Sequence, residues 1–326
     1  MAWAGIISTK QEIAIGESVA KQIEAQFPLL DDPVLQERVQ KIGARIAGVT
    51  DRQGMIYTFK VLDVDEVNAM AAPGGFIYVF KGLTDIMQTD DELAGILGHE
   101  IGHVVKRHSM GQLEKSLGMT LLLGAAFGGE SLPLQMVAVN AISAGYSRDD
   151  ERQADKLGYE LSVKAGYNPY GMLLGLMKLD ELDPKQKSDL FSDHPEAASR
   201  IKLIKRYLDA AKLGVTAKLL EDGTSASVVA DNLSLPPFKI ARGATAPLYR
   251  AYLAAGNLSQ IGNLPDYSSD KYVLDSDGNN VIICYDEKEI ITLIPDDAVV
   301  EHIDLSQLVE RYVTALRSWK KTASSN

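Results

Sequence analysis

The chain has 326 residues, of which 46% are hydrophobic and 24% charged, with a formal net charge of -11. That length suffices for a full core and for two domains, while the acidic balance excludes a nucleic-acid binder, which needs a basic face against phosphates. The single cysteine, Cys284, excludes an internal disulfide and a thiolate metal cage, so any metal must sit on histidine and carboxylate.

The opening "MAWAGIISTKQEIAIGE" has no basic segment followed by a long apolar stretch, so no export signal is expected as written, although a mature form with that segment removed would read the same. Residues 8 to 48 read as two amphipathic helices joined at "PLLDDP", the second with Val34, Leu35, Val39, Ile42 and Ile46 at helical spacing. "MIYTFKVLDV" is β-branched and aromatic, a strand, and "NAMAAPGGFIYVFKGL" holds a Pro-Gly-Gly turn before a second strand, Phe76 to Phe80. Thr89 with Glu92 three residues on is a capping box, which marks the start of a helix through "LAGILGHEIGHVVKRH". The apolar run from Leu117 to Gly129 is shorter than the roughly twenty residues a bilayer span needs. It reads as a buried segment, with a peripheral membrane contact through 117–129 as the alternative.

Further helices are expected around 132 to 144, 148 to 165, 170 to 180 and 195 to 212. Near Gly214 the texture changes to an Ala-, Ser-, Gly- and Pro-rich stretch, followed by three short strands ("KYVL", "VIICY", "EIITLI") and a closing amphipathic helix through Leu305, Leu308, Tyr312 and Leu316. The expected architecture is α+β, with one domain over 1–213 and a small α+β domain over 214–326.

The chemistry sits in "GHEIGHVVKRH". Residues four apart on a helix share a face, so His99 and His103 can reach one metal ion, and Glu100 stands beside the first of them as a general base toward water. Glu100 also interrupts an apolar face of Leu93, Ile96, Leu97, Ile101 and Val104, where a carboxylate without a purpose would cost several kcal/mol. Gly98 and Gly102 weaken the helix by about 1 kcal/mol each, which is tolerable if another backbone or a substrate comes close. His108 lies nine residues past His99, about 180° around a continuous helix, and is expected at the surface, as is His302. The metzincin alternative would need a histidine where Ser109 stands. A carboxylate from a later helix is left, and Glu151 and Asp155 in "AGYSRDDERQADKLG" are four apart: one could bind the metal while the other accepts a hydrogen bond from a ligand ring.

Together "GHEIGHVVKRH", "YSRDDERQAD" and "NAMAAPGGFIYVFKGL" resemble the HtpX-like and BepA-like zinc metallopeptidases, gluzincins related to the CaaX prenyl protease, over residues 8 to 205. The resemblance implies a mainly helical zincin-type peptidase domain, with a small sheet whose edge strand binds substrate, and one Zn2+ per chain held by His99, His103 and Glu151. It implies that Asp155 supports the ligands and that Asn68, Ala69 and Met70 pair with the substrate backbone, a sound way to hold an extended peptide. "SDHPEAASRI" matches a further family feature, with His194 facing the metal and Arg200 behind it. His194 would either stabilise the oxyanion or cap the zinc and keep the enzyme latent; Arg200 would pair with a site carboxylate or assist the transition state. The implied function is a zinc-dependent metalloendopeptidase acting on unfolded or extended protein segments in protein quality control. The alternative is a His-capped, latent peptidase working as a chaperone or assembly factor. The resemblance points to the cell envelope or periplasm if an export signal was trimmed, and otherwise to the cytoplasm. Oligomeric state and the role of the C-terminal domain are left open.

Overall fold

Ser8 caps the first helix through a box with Gln11, and Asp32 caps the second by accepting from the Leu35 amide at 3.0 Å. These are α1 (Thr9–Gln26) and α2 (Pro33–Ala47), joined at the expected "PLLDDP" turn. The computed structural model describes residues 7–52, 54–116, 145–182 and 197–319. It divides into two units, Met1–Tyr207 and Leu208–Asn326.

In the first unit, β1 (Thr58–Leu62) lies parallel to β3 (Phe76–Phe80), and β2 (Ala69–Ala72) lies antiparallel to β3. The order β1-β3-β2 leaves β2 on an edge. Between β2 and β3 the chain reverses at Pro73-Gly74-Gly75, where Gly74 and Gly75 take φ of 78° and 88°, values that suit residues without a Cβ. A short helix, α3 (Lys81–Ile86), leads to α4 (Asp90–Lys106), which opens with the Thr89–Glu92 capping box. α5 (Arg148–Lys164), α6 (Gly171–Asp180) and α7 (Ala197–Ala211) follow, and the division between the units falls inside α7.

From Leu93 to Val104 every residue of α4 is buried. A helix that is apolar only on one stripe does not do this; α4 is enclosed by α2, α5, α6 and β2. The core around it gathers Val39, Ile42 and Ile46 of α2, Phe59 and Val61 of β1, and Leu93, Leu97 and Ile101 of α4. Glu92 does double duty at the start of α4, since its carboxylate also meets the buried Lys178 of α6 at 2.8 Å. The glycines explain how α5 comes so near. A Cβ on Gly98 would lie 2.6 Å from the carbonyl oxygen of Gly158, and one on Gly102 would lie 2.8 Å from that of Ala154. It is another backbone, that of α5, that occupies the space these glycines leave.

The second unit holds a hairpin, β4 (Val215–Leu219) with β5 (Ala226–Ala230), a buried helix α8 (Pro247–Ile261), and the antiparallel meander β6 (Tyr272–Asp277), β7 (Asn280–Tyr285) and β8 (Lys288–Leu293). α9 (Pro295–Val299) and α10 (Leu305–Ser318) close it. The meander and final helix match the sequence reading; the hairpin and α8 had no counterpart in it. α8 buries Tyr249, Ala251, Ala254, Leu258 and Ile261 together with Arg250, Asn257 and Ser259, so its pattern lacks a clean polar face. Arg250 is held there by Asp297 at 2.6 and 2.7 Å. The expected helix at 132–144 and the apolar run at 117–129 lie outside the described residues. Among the described residues no helix is long and apolar enough to cross a membrane.

Gly98→Ala is expected to destabilise the protein by about 1–3 kcal/mol, since overpacking the α4–α5 contact outweighs the ~1 kcal/mol gained in helix propensity. Gly111→Ala is the control: it lies in the helical segment 108–116 and its added Cβ meets nothing within 4 Å. Urea unfolding of both variants checks this, and equal effects of the two substitutions would refute it.

Candidate metal centre

α4 projects His99 and His103 one turn apart toward α5, and α5 projects Glu151 and Asp155 back toward them. All four side chains are buried. His103 Nε2 lies 2.9 Å from His99 Nε2 and 3.2 Å from Glu151 Oε1, and His99 Nε2 lies 3.6 Å from Glu151 Oε2. His99 Nδ1 donates to Asp155 Oδ1 at 2.9 Å. In the neutral ring that bond puts the only proton on Nδ1 and leaves Nε2 a bare lone pair facing the other donors. Two imidazole nitrogens and a carboxylate oxygen, all buried and within 4.8 Å of one another, form a set that fits zinc. Asp155 lies outside that set, on the Nδ1 side of the His99 ring. Glu100, buried next along the helix from His99, is 2% exposed.

Arg200, from the first turn of α7, lies behind the carboxylates. Its Nη2 meets Asp155 Oδ1 at 2.7 Å and its Nε meets Oδ2 at 2.9 Å, while Nη1 lies 3.1 Å from Glu151 Oε2. Of the two roles expected for Arg200, pairing with a site carboxylate is the one this geometry displays. Burial alone would push the Asp155 carboxyl up; the Arg200 charge and the His99 hydrogen bond outweigh it and leave the group at about 2. Burial likewise disfavours the Arg200 cation, but Asp155, Glu151 and Glu100 together raise its pKa.

His108 departs from expectation. It is 8% exposed, not a surface residue, and its Nδ1 lies 3.0 Å from His103 Nδ1. The helical arithmetic fails because α4 stops at Lys106 and Arg107 adopts a left-handed conformation, with φ of 59°. A new helical segment then starts at 108 and turns His108 inward. Burial holds its pKa down, against an opposing pull from Asp150. His302 is exposed, as expected. Tyr146, which the sequence reading did not single out, stacks on His103 with ring centroids 3.8 Å apart. Its hydroxyl lies 2.9 Å from Ser109 Oγ, which donates to the carbonyl of Ala71 in β2 at 3.1 Å. Only the closeness of Tyr146 to the "SRDDERQAD" stretch could have flagged it. Asn68 and Ala69 are buried and Met70 is half-buried; Asn68 precedes β2, to which Ala69 and Met70 belong, and its Oδ1 accepts from the Ala69 amide at 2.8 Å. His194 lies outside the described residues.

Asp155 carries a pH signature. Its carboxyl is depressed from 3.8 to about 2, so its ionised form stabilises the fold above pH ~4 and the contribution is lost as the pH falls through about 2. Asp155→Asn is expected to cost about 3 kcal/mol or more at neutral pH, because it leaves buried Arg200 short of a charge partner. It should also flatten the loss of stability between pH 4 and 2. Metal-free unfolding curves measured across that window check both, and parallel curves for variant and wild type would count against the assignment.

The profile of peptidase family M48 matches residues 33–208, and that of a domain of unknown function (DUF8459) matches residues 227–322. The metalloprotease YcaL of Escherichia coli (strain K12) is 30% identical over 184 residues, covering 53% of this chain and 72% of that protein. The β-barrel assembly-enhancing protease of the same organism is 27% identical over 212 residues, 60% of this chain and 43% of the relative. The mitochondrial metalloendopeptidase OMA1 of Arabidopsis thaliana is 32% identical over 184 residues, 54% of this chain and 36% of the relative. Apart from YcaL, the matches thus span less than half of these relatives. Through the segment that carries His99, Glu100, His103 and Glu151, the chain belongs to peptidase family M48, a family of zinc metallopeptidases.

Proposed function

We propose that the protein is a zinc metalloendopeptidase that cuts unfolded or extended protein segments in protein quality control. The observation that carries this is the cluster of His99, His103 and Glu151 donor atoms within 4.8 Å of one another, with Glu100 adjoining it on α4. When held by those three side chains, zinc supplies a Lewis acid that polarises a carbonyl and lowers the pKa of water toward ~7. Glu100 takes a proton from the attacking water and returns it to the leaving amide nitrogen. Asp155 fixes the ring of His99. Arg200 holds Asp155 and the Oε2 side of Glu151, which turns Oε1 toward His103.

Asn68, Ala69 and Met70 are our candidates for pairing with the substrate backbone, supported by the edge position of β2. His194 is kept as a candidate for oxyanion assistance or for capping the metal, on the sequence resemblance alone. We place the protein in the cell envelope, since several relatives are named for enhancing β-barrel assembly and such barrels belong to bacterial outer membranes. The domain from 214 to 326 is assigned as a separate module.

Glu100→Gln is expected to leave zinc bound at one per chain and to abolish cleavage of a reduced, denatured protein by a factor of 100 or more, since general base catalysis contributes about 10²–10⁴-fold. Mass-spectrometric metal analysis together with a gel-based cleavage assay tests this, and undiminished cleavage would sink the assignment. A zinc chelator should abolish wild-type cleavage and added zinc restore it, whereas Glu151→Gln should lower metal content itself. A Glu151→Gln protein with full zinc would remove Glu151 from the ligand set.

A further inference from the structure

We infer that His108 is a positioning residue for His103, part of a carboxylate-anchored relay Asp150–His108–His103 that mirrors the direct Asp155–His99 pair. The inference rests on the reading of His99, His103 and Glu151 as a zinc site, and concerns how the second ligand is held. His108 Nδ1 lies 3.0 Å from His103 Nδ1, with both rings buried. Two imidazole nitrogens at that distance need one proton between them. On its other side, His108 Nε2 lies 3.5 Å from Asp150 Oδ1. A carboxylate only accepts, so it favours the tautomer with the His108 proton on Nε2. Nδ1 of His108 is then an acceptor, and the shared proton belongs to His103 Nδ1. That leaves His103 Nε2 bare, aimed at Glu151 Oε1 and His99 Nε2 at 3.2 and 2.9 Å.

The anchor is well fixed. Asp150 is the third residue of α5, and its Oδ2 accepts from the Ser147 hydroxyl at 2.7 Å and from the Ser147 amide at 3.2 Å in a capping box. Oδ1 is left to face His108. The residue after it is Glu151, so one helix start positions the third ligand and, through His108, the second. Tyr146, one residue before the cap, stacks on the His103 ring and limits its rotation. The left-handed Arg107 between the two helical segments aims His108 back at the ligand it follows.

His108→Leu removes the acceptor, whereas His108→Asn keeps an acceptor oxygen close to where Nδ1 stood. In the full chain, zinc affinity is to be measured by competition with a chromophoric chelator for wild type and both variants. His108→Leu is expected to lose 10–100-fold in zinc affinity, the usual cost of removing a group that orients a metal ligand, and His108→Asn to recover most of it. Near-UV circular dichroism confirms that each variant is folded. Independently of any variant, ¹⁵N spectra of histidine-labelled, zinc-loaded wild type should show a scalar coupling across the hydrogen bond from His103 Nδ1 to His108 Nδ1, and a proton on His108 Nε2. Zinc affinity unchanged in a folded His108→Leu, or a proton found on His108 Nδ1, overturns the relay while leaving the zinc site intact. A wild-type chain that takes up no zinc overturns both.

Discussion

The contact between α4 and α5 governs the site. Gly98 and Gly102 present no side chain to α5, and Gly158 and Ala154 present almost none to α4, so the two backbones touch. Every donor in the metal cluster comes from one of these two helices, and the separations of 2.9–3.6 Å among them are inherited from how near the axes come. Ridges of larger side chains hold packed helices 8–10 Å apart. At such a distance Glu151 would have to reach across a layer of core residues to meet His103. The two weak helix formers in "GHEIGH" therefore serve the geometry and not the helix.

Such closeness concentrates ionisable groups in the buried interior. Glu100, Glu151, Asp155 and Arg200 are all buried alongside two imidazoles. Removing an ion from water costs several kcal/mol, and a single ion pair at 4 Å returns about 4 kcal/mol at an effective dielectric of ~20. One pair would roughly break even, which is why Arg200 engages two carboxylates through three nitrogens and not one. The arrangement also divides labour within Glu151: one oxygen faces the guanidinium and the other faces the imidazole of His103.

Local rules made much of this legible. The capping box at Thr89 set the start of α4, and the period of four fixed His99 against His103 and Glu151 against Asp155, because a helix converts spacing into direction. What failed was the assumption that a helix continues. His108 was placed by counting residues along α4, and a single left-handed residue, Arg107, reset the count. A long polar arginine gives no sign of that conformation, which glycine or asparagine would have signalled. Tyr146 and Arg250 were missed for another reason: their partners lie far along the chain in Ser109 and His103, and in Asp297. In α8 the buried residues include Arg250, Asn257 and Ser259, so no clean polar face set off the buried one.

The edge strand β2 is tied by hydrogen bonds to residues packed against His103. The Phe80 amide donates to the Asn68 carbonyl at 2.9 Å, and residues 69 to 72 of β2 pair in register with 79 to 76 of β3. In an antiparallel ladder alternate residues turn their amide and carbonyl to the neighbour, so Asn68 and Met70 face β3 while Ala69 and Ala71 face away. The outward carbonyl of Ala71 is held by Ser109, whose hydroxyl also meets Tyr146, the ring stacked on His103. The outward amide of Ala69 is held by the Asn68 side chain. An extended peptide added to this edge would meet a strand already tied at Ala71 to the packing of a metal ligand. It would exchange its own carbonyl for the Asn68 carboxamide at Ala69. The backbone that would receive a substrate and the ring that would bind the metal are thus joined by one short chain of contacts, Ala71 to Ser109 to Tyr146 to His103.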